Sequence, residues 1–367
     1  MAFALNKTLA PDLVAPDEKH SGLPFAFTGK AGEYFGIWIV NLLLSVVTLG
    51  IYSAWAKVRT KRYFYGNTKL DGSTFDYLAS PVQILKGRLI TFAFFFAYAL
   101  CSSFVPALIW IFILAMVVIT PWVVVRALSF NAYNSSYRNV QFGFIGRTAE
   151  AAKLYVLMPV LSFLTIGALW PYTVYLTRKF FVTNSRYGQT EFTFDGKVGA
   201  FYKYYAITLA ISLVAIAIYG AAFITGVGET KLDPENIDLS IFLEFSPIKY
   251  FWIGTAFILA IVSYGYLAVK LQSYFLNNTK IGGHQLKLEL KLSRFIWIRL
   301  SNLVVIVFSF GLMIPWAKIR MTRYQVEQMS LFPCGDLEAL VSDQQKQDEA
   351  YGSELGEGMD LDLGLGV

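Results

Sequence analysis

Long apolar segments alternate with short basic and aromatic segments along most of the chain. A helix needs roughly 17–25 mostly apolar residues to cross the hydrocarbon core of a bilayer, so segments of this kind indicate transmembrane helices. The apolar segments are residues 34–56, 89–104, 106–125, 151–176, 204–226, 250–269 and 295–315. The pattern predicts an all-α multi-pass membrane protein. No charged residue separates residues 89–104 from residues 106–125, so these two predict a tight transmembrane hairpin.

One stretch, residues 48–72, recurs in parts further along the chain. It opens with a Thr-Leu-Gly break, continues with aromatic and basic residues, and ends in a turn that contains an Asn-Thr pair. At a shift of 117 residues, Gly50 matches Gly167 and Asn67 matches Asn184, and at a shift of 211, Asn67 matches Asn278. A shift of 261 residues matches five more pairs: Asn41 with Asn302, Gly50 with Gly311, Trp55 with Trp316, Arg59 with Arg320, and Arg62 with Arg323. Residues 126–146 form a weaker copy. The matches predict internal repeats, which are common in transporter folds.

Glycine recurs at the matched breaks, although glycine inside a helix costs about 1 kcal/mol relative to alanine. Gly50, Gly167 and Gly311 each follow a long apolar run. Their recurrence predicts a backbone that either bends further than a Cβ allows or packs directly on a neighbouring helix. We therefore expect three broken helices, although simple kinks with interfacial anchors are an alternative.

A few polar residues lie inside the apolar segments and are candidates for function. Arg299 lies five residues into its segment, where it either takes part in function or extends its charged end to the membrane interface. Asn41 and Asn302 occupy matched positions. We expect these two asparagines to form hydrogen bonds between helices rather than to bind a substrate.

Two topologies remain open for the apolar segments. If all seven cross the membrane, similar basic loops face opposite sides, against the positive-inside bias. If residues 34–56, 151–176 and 295–315 enter and leave by one face, four spans and three re-entrant segments result, and all basic loops lie in the cytoplasm. The loops that follow the Asn-Thr and Asn-Ser pairs alternate polar with apolar residues and contain turn residues. They predict short β-hairpins on the cytoplasmic membrane surface, with pairing of the hairpins with one another as an option.

Composition and charge divide the chain into three parts. The chain is 56% hydrophobic and 15% charged, with a mean hydropathy of +0.50, whereas soluble domains carry about 25% charged residues. The net charge is +6, and residues 326–367 contribute −9, which leaves +15 for residues 1–325. We expect a disordered lead-in (1–24), a membrane domain (25–325) and a disordered acidic tail (326–367). Basic loops on a membrane domain indicate anionic lipid headgroups rather than nucleic acid as partners.

The sequence contains little that could support catalysis. The two histidines, His20 and His284, cannot form a cluster for a metal or for acid–base chemistry, and Cys101 and Cys334 have no metal-ligand spacing. Phosphate-binding, serine-hydrolase and zinc-protease motifs are absent from the sequence, and the apolar segments contain no acidic residue. We therefore expect no enzyme activity, no cofactor and no metal.

The motifs TLGIY, AWAKVR and RYFYGNTKLDG, which follow one another after an apolar segment, resemble the YjgN family of bacterial inner-membrane proteins. The resemblance covers roughly residues 25–325. It implies a multi-pass protein of a Gram-negative inner membrane, with no established activity and therefore no catalytic residue to transfer. The second copy has Tyr172 at the position of Trp55, so the copies need not share one role.

Two function classes are compatible with these patterns. Repeats and broken helices favour a transporter or channel for a small solute or lipid. Basic interfacial loops, and the lack of an acidic residue for proton coupling inside the apolar segments, favour a non-transporting scaffold or a lipid-binding protein. The substrate is unknown, a homo-oligomer is possible, and the tail is expected in the cytoplasm. Flux measurements in liposomes separate the two classes.

Overall fold

Ten short strands form one closed barrel, and helices connect most of them. The computed structural model describes residues 22–228 and 247–334. The helices are α1 (Ala31–Val47), α2 (Ser53–Gly66), α3 (Pro81–Phe104), α4 (Ile109–Tyr133), α5 (Thr148–Ala152), α6 (Met158–Leu164), α7 (Trp170–Thr183), α8 (Val198–Gly228), α9 (Pro247–Asn277), α10 (Leu292–Phe308) and α11 (Ile314–Glu327). The strands are β1 (Leu23–Phe27), β2 (Thr68–Leu70), β3 (Ser73–Tyr77), β4 (Ser135–Tyr137), β5 (Val140–Phe144), β6 (Ser185–Tyr187), β7 (Thr190–Phe194), β8 (Thr279–Ile281), β9 (His284–Leu288) and β10 (Met329–Phe332).

The strands follow one another around the barrel in chain order, and every neighbouring pair is antiparallel. The first and last strands close the barrel, with Leu23 opposite Leu331 and Pro24 opposite Ser330. The prediction of an all-α fold is therefore wrong. An isolated hairpin exposes two rows of unpaired backbone groups, and pairing each hairpin with the next one around a closed barrel removes these edges.

The elements form five units, each with a pair of helical segments followed by a hairpin. The fifth hairpin is made from the two ends of the described chain, because β10 pairs with β1 rather than with a following strand. The first, third and fifth units contain a broken pair: α1 with α2, α5 and α6 with α7, and α10 with α11. The second and fourth contain the longer helices α3, α4, α8 and α9. Broken pairs and long pairs therefore alternate along the chain.

The breaks are tight hydrogen-bonded turns rather than kinks. After α1, Leu49 and Gly50 have φ angles of 50° and 91°, and the Gly50 N–H donates to the carbonyl of Ser45 at 2.7 Å. A glycine in the left-handed conformation, whose N–H donates to the carbonyl five residues earlier, is a common way to end a helix. The Nδ2 group of Asn41 reaches the carbonyl of Ala56 at 3.5 Å, so α2 folds back along α1.

The first helix of a broken pair begins at the rim of the barrel, and the second helix ends at the same rim. In the first unit, Phe27 of β1 pairs with Thr68 of β2, so the start of α1 and the end of α2 are neighbours. The turn at the opposite end exposes apolar side chains: Leu49, Ile166 and Phe310 are 94%, 98% and 96% exposed. Each broken pair therefore extends away from the barrel and returns to it.

In the described part of the chain, four helical segments are long and apolar enough to cross a membrane. They are Pro81–Phe104, Ile109–Tyr133, Val198–Ala221 and Tyr250–Asn277. At 1.5 Å per residue, the 24 residues of α3 measure about 36 Å, which exceeds the roughly 30 Å of a hydrocarbon core. In the most apolar stretch of α3 no residue is buried inside the protein, so its apolar surface is free to contact lipid.

An asparagine and a hydroxyl residue join four of the helices to the barrel. At the end of α2, Asn67 Nδ2 donates to the carbonyl of Tyr63 at 2.8 Å, and Thr68 Oγ1 donates to that of Phe64 at 2.8 Å. The same two bonds recur at the ends of α4, α7 and α9 through Asn134 and Ser135, Asn184 and Ser185, and Asn278 and Thr279. They satisfy carbonyl groups that a helix C-terminus otherwise leaves without partners.

Several sequence predictions concern residues outside the described part of the chain. These are most of the lead-in (1–21), most of the acidic loop (229–246) and the tail beyond residue 334. The predicted limits of the membrane domain, residues 25 and 325, fall inside β1 and α11. Because β10 lies beyond residue 325 and closes the barrel, part of the segment assigned to the tail belongs to the fold.

Candidate functional site: the cavity at the mouth of the barrel

Ten apolar side chains, one from each strand, form a ring inside the barrel. They meet as five pairs across the seams between hairpins: Phe25 with Leu70, Phe75 with Tyr137, Phe142 with Tyr187, Phe192 with Ile281, and Leu286 with Leu331. Side chains alternate between the two faces of a strand, so each strand contributes one residue at this level. The ring, here called the aromatic ring, fills the waist of the barrel with apolar side chains.

The next level towards the helices is occupied by smaller side chains. These are the first residues of the shorter strands: Thr68, Ser135, Ser185, Thr279 and Met329. The four hydroxyl groups donate to carbonyls of the preceding helices, as described above. Because the four hydroxyl side chains are short and their hydrogen bonds are directed into the helix ends, they leave space above the aromatic ring.

That space is a cavity of about 580 Å³, here called the barrel-mouth cavity. It extends from the aromatic ring to a collar formed by the second helix of every unit. The collar residues are Phe64, Tyr65, Leu128, Asn131, Ala132, Phe181, Val182, Phe275, Leu276 and Val326. Among the described residues that line it there is no carboxylate, and Arg186 and His284 are the ordinarily charged or titratable groups apart from tyrosines. Small-molecule sites have volumes in this range and are mostly apolar.

Most polar groups near the ring are used inside the protein, although the Nε of Arg186, which also lines the cavity, is buried without a hydrogen bond. The Tyr137 hydroxyl donates to the carbonyl of Leu70 at 2.8 Å, and the Tyr187 hydroxyl donates to that of Tyr137 at 3.0 Å. Burial raises the pKa of the Tyr137 hydroxyl, so it stays a neutral donor. Burial lowers the pKa of His284, whose Nδ1 accepts the Cys334 N–H at 3.1 Å. The ring therefore presents an uncharged surface to the cavity.

A second cavity, of about 430 Å³, lies between the start of α1 and the last helix pair, α10 and α11. It is lined by Arg294, Arg320 and Arg323, by Trp297 and Trp316, and by Glu327, among others. Its chemistry is opposite to that of the barrel-mouth cavity, and the two share no lining residue. In the part of the chain that the structure describes, no group of three His, Cys, Asp or Glu side chains could hold a metal ion.

The structure places six of the sequence-predicted residues at two separate levels. Asn67, Asn184 and Asn278 terminate helices at the barrel rim. Gly50, Gly167 and Gly311 lie at the far turns, with φ angles of 91°, 84° and 86°. A Cβ on Gly50 or Gly167 would meet no atom within 4 Å, so the backbone angle rather than close helix packing requires glycine there.

The remaining predicted residues lie along the broken pairs. Asn302 Nδ2 donates to the carbonyl of Ala317 at 3.0 Å, which matches the contact of Asn41 across its own pair. In the first pair, Trp55 stacks on Tyr52, the Arg62 Nε donates to the carbonyl of Tyr77, and the Arg59 side chain is exposed.

In the last pair, the guanidinium of Arg320 lies over the Trp316 ring, and that of Arg299 lies over the Phe295 ring. Of the predicted residues, Trp316 and Arg320 line the second cavity. Sequence reasoning missed the aromatic ring and Arg294. Period-two alternation in the loops was the available signal for the ring.

Comparison with known proteins identifies the family of the chain. Residues 22–358 match the model of a family described as "Bacterial protein of unknown function (DUF898)". The chain belongs to this family. The match begins just before β1 and continues past β10, so it includes the whole barrel. No solved structure matches the chain.

Among curated proteins, the chain is similar to one named Inner membrane protein YjgN. It is 32% identical over 153 residues to the protein from Salmonella typhimurium, which covers 38% of this chain and 39% of the relative. It is 29% identical over 146 residues to the protein from Escherichia coli O157:H7, which covers 40% and 37%. The chain thus spans about two fifths of the length of the curated relatives it matches. The resemblance to the YjgN family is confirmed.

Proposed function

We propose that the protein is an inner-membrane protein that binds an apolar chain, such as the acyl chain of a lipid, in the barrel-mouth cavity. The observation that supports this most is the apolar character of a 580 Å³ space bounded by the aromatic ring and by helix ends. Apolar cavities tend to exclude water and to bind apolar guests. The names of the relatives and the four long apolar helices support a location in a bilayer, where such a ligand is available.

The proposed orientation follows from the distribution of charge. The turns at residues 48–52, 165–169 and 309–313 and the connection at 105–108 contain no charged residue. Basic residues lie instead between these turns and the barrel, as in the run from Lys57 to Arg62 within α2. By the positive-inside rule, the barrel lies in the cytoplasm, the long helices span the membrane, and the broken pairs are re-entrant.

Cysteine labelling tests this orientation. In a chain with Cys101 and Cys334 replaced by serine, a Thr193→Cys variant places a thiol on the exposed outer face of the barrel. We expect an impermeant maleimide to label it only after spheroplasts are permeabilised. A Ser240→Cys variant, in the acidic loop expected on the other side, is the control that reacts in intact spheroplasts. Labelling of Thr193→Cys in intact cells would reverse the orientation.

Lipid binding is tested by filling the cavity. Ala132 lines the cavity, whereas Ala127 lies on the exposed side of the same helix. An Ala132→Phe variant should co-purify with less phospholipid in native mass spectrometry, and Ala127→Phe should match the wild type. Melting temperatures in detergent identify variants that fail to fold. Equal lipid retention in all three folded proteins would contradict the proposal.

Transport of an apolar molecule is the second candidate function. The alternation of long and broken helix pairs favours it, because broken helices are frequent in transporters. A polar solute has less support, since the aromatic ring closes the barrel axis with apolar side chains. Lipid exchange between leaflets of proteoliposomes that contain the protein, compared with protein-free liposomes, separates transport from binding without transport.

A further inference from the structure

The second cavity concentrates positive charge beside the last helix pair. Arg294, Arg320 and Arg323 line it, and Glu327 is the one carboxylate among its described lining residues. Three arginines against one glutamate give it a net charge of +2. Trp297 and Trp316 form its apolar walls, and the Trp297 side chain is 65% exposed. We call this cavity the arginine pocket.

Neutral groups hold the three guanidinium groups in place. Arg320 Nη1 donates to Ser301 Oγ at 2.6 Å and to Asn302 Oδ1 at 3.1 Å. Arg323 Nη2 donates to the carbonyl of Gly29 at 2.8 Å, and the Arg294 guanidinium lies 5.5 Å from the centre of the Tyr324 ring. None of the ion pairs in the described residues includes these arginines. Their charge is therefore oriented but not neutralised inside the protein.

The fold itself does not require this set of residues. At the shift of 261 residues, Arg320 and Arg323 match Arg59 and Arg62 of the first unit. Trp316, Ile298 and Tyr324 also match, with Trp55, Ile37 and Tyr63, whereas Arg294 and Trp297 have no such counterpart. The positions of Arg294, Trp297 and Ser301 correspond to Glu33, Gly36 and Val40. Glu33 forms an ion pair with Lys30 at 3.4 Å, so the first unit has the opposite charge at the position of Arg294.

We propose that the arginine pocket binds a phosphate group, supplied by the headgroup of an anionic phospholipid. Guanidinium groups bind phosphate oxygens through paired charge-assisted hydrogen bonds, and arginine is the usual residue for this task. An apolar stripe continues along the same side of α10, through Val304 and Phe308, which are 52% and 80% exposed. A lipid whose headgroup lies in the pocket would place an acyl chain along this stripe. This site is independent of the barrel-mouth cavity.

Arginine substitutions on α10 test the site with a matched control. Arg294→Gln removes one pocket charge, and Arg299→Gln removes the same charge from an exposed residue that does not line the pocket. The full chain in neutral detergent is titrated by calorimetry with dihexanoyl phosphatidylglycerol, dihexanoyl phosphatidylcholine and inorganic phosphate. A charge-assisted hydrogen bond is worth enough to change affinity by about tenfold or more.

We expect the wild type to bind the phosphatidylglycerol at least about tenfold more tightly than the phosphatidylcholine. Arg294→Gln should lose that preference, while Arg299→Gln keeps it. If inorganic phosphate binds as tightly as the phosphatidylglycerol, and Arg294→Gln weakens its binding equally, the result would support the site and assign it to a soluble phosphate compound.

Two outcomes would overturn the proposal. The first is that all three proteins bind the phosphatidylglycerol with equal affinity, and the second is that both variants lose the same amount of this affinity. If Arg294→Gln does not fold, Arg294→Glu is the second variant, since the first unit accommodates Glu33 at the matched position.

Discussion

At the residue scale, the three glycine breaks show how far the sequence could be interpreted. Their recurrence predicted a special backbone at Gly50, Gly167 and Gly311, and each has a positive φ. The sequence could not choose between backbone geometry and close helix packing. It also gave no sign that the preceding Leu49 and Ile166 are left-handed as well, because these apolar residues have no preference for that conformation.

A pair of alanine substitutions tests the geometric reason for the glycine. Gly50 has a φ of 91°, whereas Gly36 lies within helix α1, and neither would bring a Cβ within 4 Å of a neighbour. Gly50→Ala should destabilise the protein by about 1–2 kcal/mol, because the left-handed region is costly for a residue with a Cβ. Gly36→Ala should stabilise it by about 0.5–1 kcal/mol. Unfolding in mixed micelles measures both. A shift of the same sign in both variants would refute this explanation.

At the element scale, the hairpins and the option that they pair with one another were predictable, whereas the register of that pairing and the closure of the barrel were not. Alternation and turn residues identified β6 with β7 and β8 with β9 as hairpin strands. The pairs that close the barrel join distant residues, such as Phe75 with Tyr137 and Phe192 with Ile281. A single sequence contains no signal for such a register. The pairing at the chain ends is the extreme case, since it joins β1 to β10.

The hairpin of β8 and β9 gives a pH prediction through His284. Its pKa is lowered from the ordinary value of 6.5 by burial, so the unfolded chain takes up a proton at a higher pH than the folded protein does. The contribution to stability is complete above about pH 6.5 and is lost as the pH falls below it towards the folded-state pKa. Between about pH 8 and about pH 5, the melting temperature of the wild type should fall further than that of His284→Gln. Parallel pH profiles would show that His284 is not responsible.

At the scale of the whole molecule, five helix pairs are attached to one barrel, and the two ends of the described chain complete it. Composition predicted the long apolar helices because their segments are long and almost uncharged. The boundary predicted at residue 325 is too early for the fold, because hydropathy does not mark the four-residue strand β10 after a basic helix.

Truncations test the role of the last strand. A chain that ends at residue 334 keeps β10, and a chain that ends at residue 328 loses it and leaves β1 and β9 without their partner. We expect the first to elute from size-exclusion chromatography in detergent as the full chain does. The second should aggregate or fail to accumulate, because it exposes two strand edges. Indistinguishable elution of the two would mean that the barrel does not need closure.

The central claim is that the barrel-mouth cavity holds an apolar chain, and site-specific photocrosslinking tests it most directly. A benzophenone amino acid replaces either Phe192, in the aromatic ring, or Thr193, its exposed neighbour on the outer face of the same strand. After irradiation in native membranes, mass spectrometry of the peptides is the measurement. We predict a phospholipid or fatty-acyl adduct at position 192 and none at position 193. No adduct at either position, or equal adducts at both, would contradict the account.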